Sequence, residues 1–247
     1  MRCRFSDNPC DGLTLKWERI RIGWDKMSTL LLMKLFEATP GRYDRGIRLL
    51  TGGQLDNLYD RLIKHVKEGD RVLDIGCGTG ALTLRAAKQG AKVKAIDINP
   101  GMLDVAEAKA KDAHLLQTIE FVEMGVAELG HEADRTYDVV MSGLCLSELT
   151  GEELDYAVNE VSRILKPEGL FLVIDETRPR SLIKRMLLGL VRTIFKLYVF
   201  LVSGTTTRAL KNFPNKVERI GFKIATCELN KNQNLLMLAA RKNRDRS

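Results

Sequence analysis

The chain has 247 residues, 45% hydrophobic and 29% charged, with 20 glycines and 6 prolines. These are the proportions of a folded globular protein and exclude disorder, collagen and a simple coiled coil. The formal charge is +7, from 39 Lys and Arg against 32 Asp and Glu, so nucleic-acid binding has to be judged by where that excess lies.

Residues 1–26 show no helical or strand period and no apolar core of a secretory signal. Met27 opens an amphipathic run, and we expect the natural protein to start there, with 1–26 a non-native or disordered extension. Residues 27–65 read as a cap of two or three helices, interrupted by Pro40-Gly41 and Thr51-Gly52-Gly53. From residue 71 short apolar runs alternate with helical periods. The predicted strands are 71–75, 92–97, 119–123, 137–142 and 169–175, and the predicted helices 81–89, 101–113 and 151–165. Such alternation specifies βαβ units, hence an α/β fold with a doubly wound, Rossmann-like, mostly parallel sheet. Two late strands, 222–229 and 234–240, are joined by Asn230-Lys231-Asn232-Gln233 and bring one antiparallel strand into a seven-stranded sheet. The domain with the motifs is expected over 66–241, followed by a basic tail at 242–247.

Between the first strand and its helix lies Asp74-Ile75-Gly76-Cys77-Gly78-Thr79-Gly80-Ala81. Glycines let the backbone approach a ligand closely, and the helix N-terminus presents free N–H groups to negative charge. Gly76, Gly78 and Ala81 also satisfy a dinucleotide pattern, so an NAD(P)-dependent oxidoreductase is an alternative. Asp74 disfavours it, because a buried carboxylate there crowds a pyrophosphate but suits the ammonium of an amino-acid group. Asp97 ends the second strand, where a carboxylate accepts bonds from both ribose hydroxyls. As a plain structural residue it would cap the turn into the next helix.

The glycine stretch, Ala95-Ile96-Asp97-Ile98-Asn99-Pro100-Gly101-Met102-Leu103, Tyr137-Asp138-Val139-Val140, and Arg163-Ile164-Leu165-Lys166-Pro167-Glu168-Gly169 resemble, in order, the motifs of class I S-adenosylmethionine-dependent methyltransferases. The resemblance spans roughly residues 40–240. It implies S-adenosylmethionine as cofactor, with its methionine end on Asp74, Gly76, Cys77, Gly78 and Gly80, its ribose on Asp97, and its adenine against Ile98 and Met102. Val126 and Ala127 stand where the family often carries an aspartate for the adenine amine. Val126 cannot make that bond, so either Glu128 replaces it or packing and backbone groups hold the ring. Arg42-Tyr43-Asp44 with Leu49-Leu50-Thr51-Gly52-Gly53, and Val173-Ile174-Asp175-Glu176-Thr177-Arg178-Pro179, are similar to ubiquinone and menaquinone biosynthesis C-methyltransferases. Residues 33–37 and 42–50 bring a still closer likeness to corrinoid-protein-associated methyltransferases. Ser147-Glu148 stands where quinone relatives commonly carry a histidine, which weakens the quinone reading and leaves a non-catalytic accessory factor as an alternative.

A sulfonium methyl is already activated, so the protein has to align the nucleophile, exclude water and at times remove a proton. Candidates facing the methyl are Ser142 and Gly143, with Ser147 and Glu148 beyond, and Tyr43 closing over the cofactor. The expected acceptor is small and apolar or aromatic. No metal site is expected: five cysteines form no C-x-x-C pair and His65, His114 and His131 lack zinc spacing. The same cysteine usage points to a reducing cytoplasm.

Residues 181–202 form the most apolar long run, but Lys184, Arg185, Arg192 and Lys196 interrupt it on one side, as in an amphipathic helix rather than a membrane span. It reads as a cover helix, a lid over a greasy pocket, or a surface for membrane or partner docking. Residues 178–216 hold nine basic and no acidic side chains, whereas 66–177 hold 11 basic and 21 acidic. The basic excess is therefore outside the cofactor domain, and the expected counterpart is an anionic membrane or an acidic or corrinoid protein, not nucleic acid.

Overall fold

Parallel strands buried on both faces need helices on both sides, and this requirement organises the chain. The computed structural model describes residues 44, 48, 51, 53–177, 210, 212–230 and 233–244. Tyr43 and the predicted 181–202 helix lie outside the described residues, as does most of the predicted 27–65 cap. Helix α1 (Gln54–Leu62) leads through a short 3₁₀ turn into β1 (Arg71–Ile75). There follow α2 (Ala81–Lys88), β2 (Lys92–Asp97), α3 (Pro100–Asp112), β3 (Ile119–Glu123), β4 (Tyr137–Gly143), α4 (Gly151–Ile164), β5 (Leu165–Glu176), α5 (Phe213–Arg219), β6 (Phe222–Leu229) and β7 (Leu235–Lys242).

The seven strands form one sheet in the order β3-β2-β1-β4-β5-β7-β6. All neighbours pair in parallel except β7, which runs antiparallel to both β5 and β6. The mostly parallel sheet with one antiparallel strand is the one the alternation predicts. Strand order reverses between β1 and β4, and a crevice opens at the carboxyl ends of strands at such a switch point.

Side chains of successive strand residues enter opposite layers. Val72 belongs to the layer with Leu55, Leu58, Leu62 and Leu82, so α1 packs on the sheet with α2. Leu73 belongs to the other layer, with Val158, Ile164 and Phe213 of α4 and α5. Helix starts are set by local chemistry. The Asn99 side chain accepts from the Gly101 amide at 3.0 Å, with Pro100 at the first helical position. Thr150 and Glu153 cap α4 reciprocally, at 2.8 and 3.2 Å.

One predicted boundary changes. Strand β5 begins at Leu165, not Gly169, because Leu165 pairs with Tyr137 and the ladder skips before resuming at Val139↔Leu170. Glu168 takes a left-handed φ of 66° there, which re-aims the chain past Pro167. Asp138 secures the irregularity, accepting from the Arg71 amide at 2.9 Å and from Lys166 Nζ at 2.7 Å. At the other end, β7 runs on through Lys242, whose ammonium donates to the Leu165 carbonyl at 2.9 Å. Residue 242, placed by sequence at the head of a tail, thus belongs to the sheet.

Phe171 of β5 is fully buried, with the rings of Phe213 and Phe222 at 6.3 and 5.9 Å. Truncation there leaves a cavity that β5, clamped between β4 and β7, cannot close. Phe171→Ala is expected to destabilise the protein by about 3–5 kcal/mol, read from the shift of a urea unfolding midpoint at unchanged slope.

Candidate functional site

The turn after β1 is shaped by steric demands before any ligand is considered. Gly76 has φ of +66°, and a Cβ on it would lie 2.3 Å from Cys145 Sγ, so a side chain is excluded by conformation and by space. Gly80, at φ of +81°, caps α2 in the left-handed region. At Gly78 no atom lies within 4 Å of the added Cβ, so its freedom serves the φ of +53° and leaves the side of the loop open.

Asp97 anchors this loop. Its Oδ2 accepts from the Gly78 amide at 2.8 Å and its Oδ1 from the Asn99 amide at 2.9 Å. The Cys77 amide is taken by the Ile96 carbonyl at 2.9 Å, and the Cys77 thiol, pushed up in pKa by burial, stays protonated. Beside Asp97, Ile98 is 75% exposed, its Cγ2 only 3.0 Å from where a Cβ on Gly125 would sit. A large aliphatic side chain held open beside a half-buried carboxylate is an unsatisfied apolar surface with a polar anchor. Asp44, from the segment before α1, crosses to the same loop. It accepts from the Thr79 hydroxyl at 2.5 Å and from Lys109, which also donates to the Thr79 carbonyl at 3.0 Å.

Deeper in, Asp74 is 1% exposed. Its Oδ2 accepts from the Thr83 hydroxyl at 2.6 Å, while Oδ1 has no partner. Burial raises its pKa to about 7, against the opposing Thr83 bonds. A buried carboxylate with one unsatisfied oxygen is matched by a cationic donor, and that is the chemistry of an amino-acid ammonium. The loop, Asp74, Asp97 and Ile98 together fit a ligand with an ammonium, a diol and an apolar face.

Other predicted residues are placed differently. Ser142 is fully buried and its hydroxyl donates to the Ile75 carbonyl at 3.0 Å, tying β4 to β1; it lines no open surface. Met102 lies in the interior at the start of α3, which leaves Ile98 as the exposed apolar group of the pair. Val126 is half-buried and Ala127 exposed on a 3₁₀ turn. There the Ala127 carbonyl accepts from the Tyr156 hydroxyl at 3.3 Å, and Glu128 folds back to the Gly125 amide at 2.5 Å. Glu128 is thus engaged by its own turn.

At the carboxyl end of β5, Asp175 is fully buried, with burial raising its pKa to about 6. It accepts from the Glu176 and Ser147 amides, at 2.6 and 3.0 Å. Tyr59 of α1 leans over the end of β4, its hydroxyl 2.9 Å from where a Cβ on Gly143 would lie. Sequence reasoning passed over both. Tyr59 has the spacing of a core residue, whereas Asp175, a carboxylate ending the apolar run 170–174, was a signal available to find. Among the described residues no cluster of His, Cys, Asp and Glu could hold a metal.

Residues 72–169 match the family model of a methyltransferase domain. A demethylmenaquinone methyltransferase of Lactobacillus johnsonii is 30% identical over 152 residues, 60% of this chain and 61% of that protein. The ubiquinone/menaquinone biosynthesis C-methyltransferase UbiE of Vibrio parahaemolyticus is 32% identical over 153 residues, 59% of this chain and 57% of the relative. The matched segment is a methyltransferase domain, and the chain is similar to these S-adenosylmethionine-dependent enzymes over its central part. The chain spans about three fifths of the length of these curated relatives. The fold is shared with magnesium protoporphyrin IX methyltransferase (ChlM) from Synechocystis, solved with bound SAH, at a TM-score of 0.63 and 22% identity, covering 87% of this chain and 99% of that one. The [4+2]-cyclase SpnF has the same fold, at a TM-score of 0.61 and 19% identity over 77% of this chain and 82% of its own, so reaction type follows from the site and not from the sheet. The match to a methyltransferase domain supports the methyltransferase reading over the oxidoreductase alternative.

The raised acids give a pH signature. A group with its folded pKa above the unfolded value stabilises the protein fully below the unfolded pKa, and that contribution is lost as pH rises through the folded one. For Asp74 the window runs from 3.8 to about 7, and for Asp175 from 3.8 to about 6. Thermal stability without cofactor is expected to fall across this interval, and Asp74→Asn to flatten the fall. An ammonium placed on Asp74 draws its pKa down again, so S-adenosylhomocysteine affinity is expected to rise from pH 6 to 8 by calorimetry, and not in Asp74→Asn.

Proposed function

We propose that the protein transfers a methyl group from S-adenosylmethionine to a small, apolar or aromatic acceptor resembling a quinone precursor. The observation that carries this reading is the grouping of the buried, unpaired Asp74 oxygen, the half-buried Asp97 carboxylate and the exposed Ile98 at the strand-order switch. S-adenosylmethionine supplies an activated methyl on a sulfonium. The chain's own residues then bind and orient: Asp74 meets the ammonium, Asp97 the ribose hydroxyls, and Ile98 the adenine face. The acceptor enters beside the ends of β4 and β5, where the wall is formed by Tyr59, Leu144 and Leu146, all buried. Those apolar walls and the names of the curated relatives support an aromatic acceptor.

Asp97 has two duties, anchoring Gly78 and receiving a diol. Charge-assisted bonds contribute roughly 1.5–3 kcal/mol each, so Asp97→Ala is expected to weaken S-adenosylhomocysteine binding by about 10–100-fold in calorimetry. Failure of the unsubstituted protein to bind S-adenosylhomocysteine, or to move labelled methyl into extracted quinones, would overturn the reading.

The basic stretch 178–216 is proposed to meet an anionic membrane surface, where such an acceptor would reside. Support comes from its nine basic and no acidic side chains. Among the described residues no helix is long and apolar enough to cross a membrane. Flotation with anionic liposomes at low salt is expected to carry the protein upward, and Lys184, Arg185, Arg192 and Lys196 changed together to Gln to abolish this.

A further inference from the structure

Buried polar groups in folded proteins are paired, and each exception asks for a partner from outside the chain. Beyond Asp74, two hydroxyls are found near the carboxyl ends of β4 and β5. The Ser147 hydroxyl is buried and bonds to nothing. It lies on the 3₁₀ turn Leu146–Glu148, and the Ser147 amide is bound to Asp175 Oδ2 at 3.0 Å. The Tyr59 hydroxyl also has no hydrogen-bond partner among the described residues. Its ring is fixed from one side by the Arg85 guanidinium, 5.5 Å from the ring centre, and Arg85 is in turn held by Asp56 and Asp60 at 2.9 and 2.7 Å. From the other side the ring rests on Gly143, where a Cβ would meet both Cε1, at 3.1 Å, and the hydroxyl. Glycine at 143 is thus what allows the hydroxyl to reach the end of β4.

Tyr59 is therefore a rigidly held hydroxyl with nothing to bond, and Ser147 is a second one on a turn fixed by a buried acid. Both lie on the opposite side of the strand-order switch from Asp97 and Ile98, which the methyltransferase reading assigns to the adenosyl end of the cofactor. Resting on the methyltransferase reading, we propose that Tyr59 and Ser147 form a polar subsite that holds an oxygen atom of the methyl acceptor, with Asp175 positioning Ser147. The acceptor atom is then aligned by two hydrogen bonds from α1 and the β4 turn, and the surrounding Leu144 and Leu146 hold its apolar body.

The test uses two compounds of nearly equal shape, 1,4-dihydroxynaphthalene and 1,4-dimethylnaphthalene, titrated into the full chain saturated with S-adenosylhomocysteine. The dihydroxy compound is expected to bind at least tenfold tighter. Tyr59→Phe and Ser147→Ala are each expected to reduce that preference by roughly 3–10-fold, with S-adenosylhomocysteine affinity unchanged. Since neither hydroxyl has a partner among the described residues, both variants should melt at or above the unsubstituted temperature, which a structural hydroxyl would not allow. Asp175→Ala should lose the preference, and Asp175→Asn, which keeps an oxygen for the Ser147 amide, should retain part of it. Equal affinity for the two compounds, or an unchanged preference in both hydroxyl variants, overturns the subsite. Absence of S-adenosylhomocysteine binding overturns instead the reading on which it rests.

Discussion

The bond from the Gly78 amide to the Asp97 carboxylate is the constraint on which the site depends. It joins the loop after β1 to the end of β2, and so ties together the two carboxylates proposed to anchor the cofactor, Asp74 and Asp97. The loop can make this approach only because Gly76 passes Cys145 with no side chain and Gly80 turns into α2 at positive φ. A polar contact and two steric allowances thus turn an ordinary strand–helix connection into a binding surface. The Asp44 link to Thr79 and Lys109 extends the same clamp to the segment before α1.

The crevice is divided by the sheet itself. β1 and β2 carry the carboxylates of Asp74 and Asp97, while the ends of β4 and β5 carry the Ser147 hydroxyl and the buried Asp175, with Tyr59 reaching in from α1. Burial is the first cause of every raised acid here, so preparing the site is destabilising to the empty protein. The cost is offset by layers away from the site, such as Phe171 with Phe213 and Phe222. Functional sites commonly hold acids of this kind, and perturbed pairs in a cleft mark them.

Much of this was legible in the sequence, for identifiable reasons. The alternation of apolar runs and helical periods predicts the sheet because strand burial on both faces leaves no other arrangement. The Lys166–Gly169 stretch misled at one boundary: Pro167 reads as a break, but the strand tolerates it by a register shift between Tyr137↔Leu165 and Val139↔Leu170. Ser142 was read as a site residue from its place at a strand end. Its hydroxyl instead faces the neighbouring strand, and a period of two does not reveal which neighbour a side chain meets.

By itself the sequence determined the fold class, the glycine turn, and the two carboxylates that bracket it, since each follows from local spacing and from what a backbone can do without a Cβ. Tertiary structure alone decided which polar groups are satisfied. Asp97 is spent partly on Gly78, Glu128 on Gly125 and Ser142 on Ile75, while among the described residues Asp74 and Ser147 each keep an unpaired side-chain oxygen. The reason is physical: a hydrogen bond needs its partner within about 3 Å and in line, and these partners come from segments up to 67 residues apart. Only the packed sheet brings them together, or leaves them apart for a ligand.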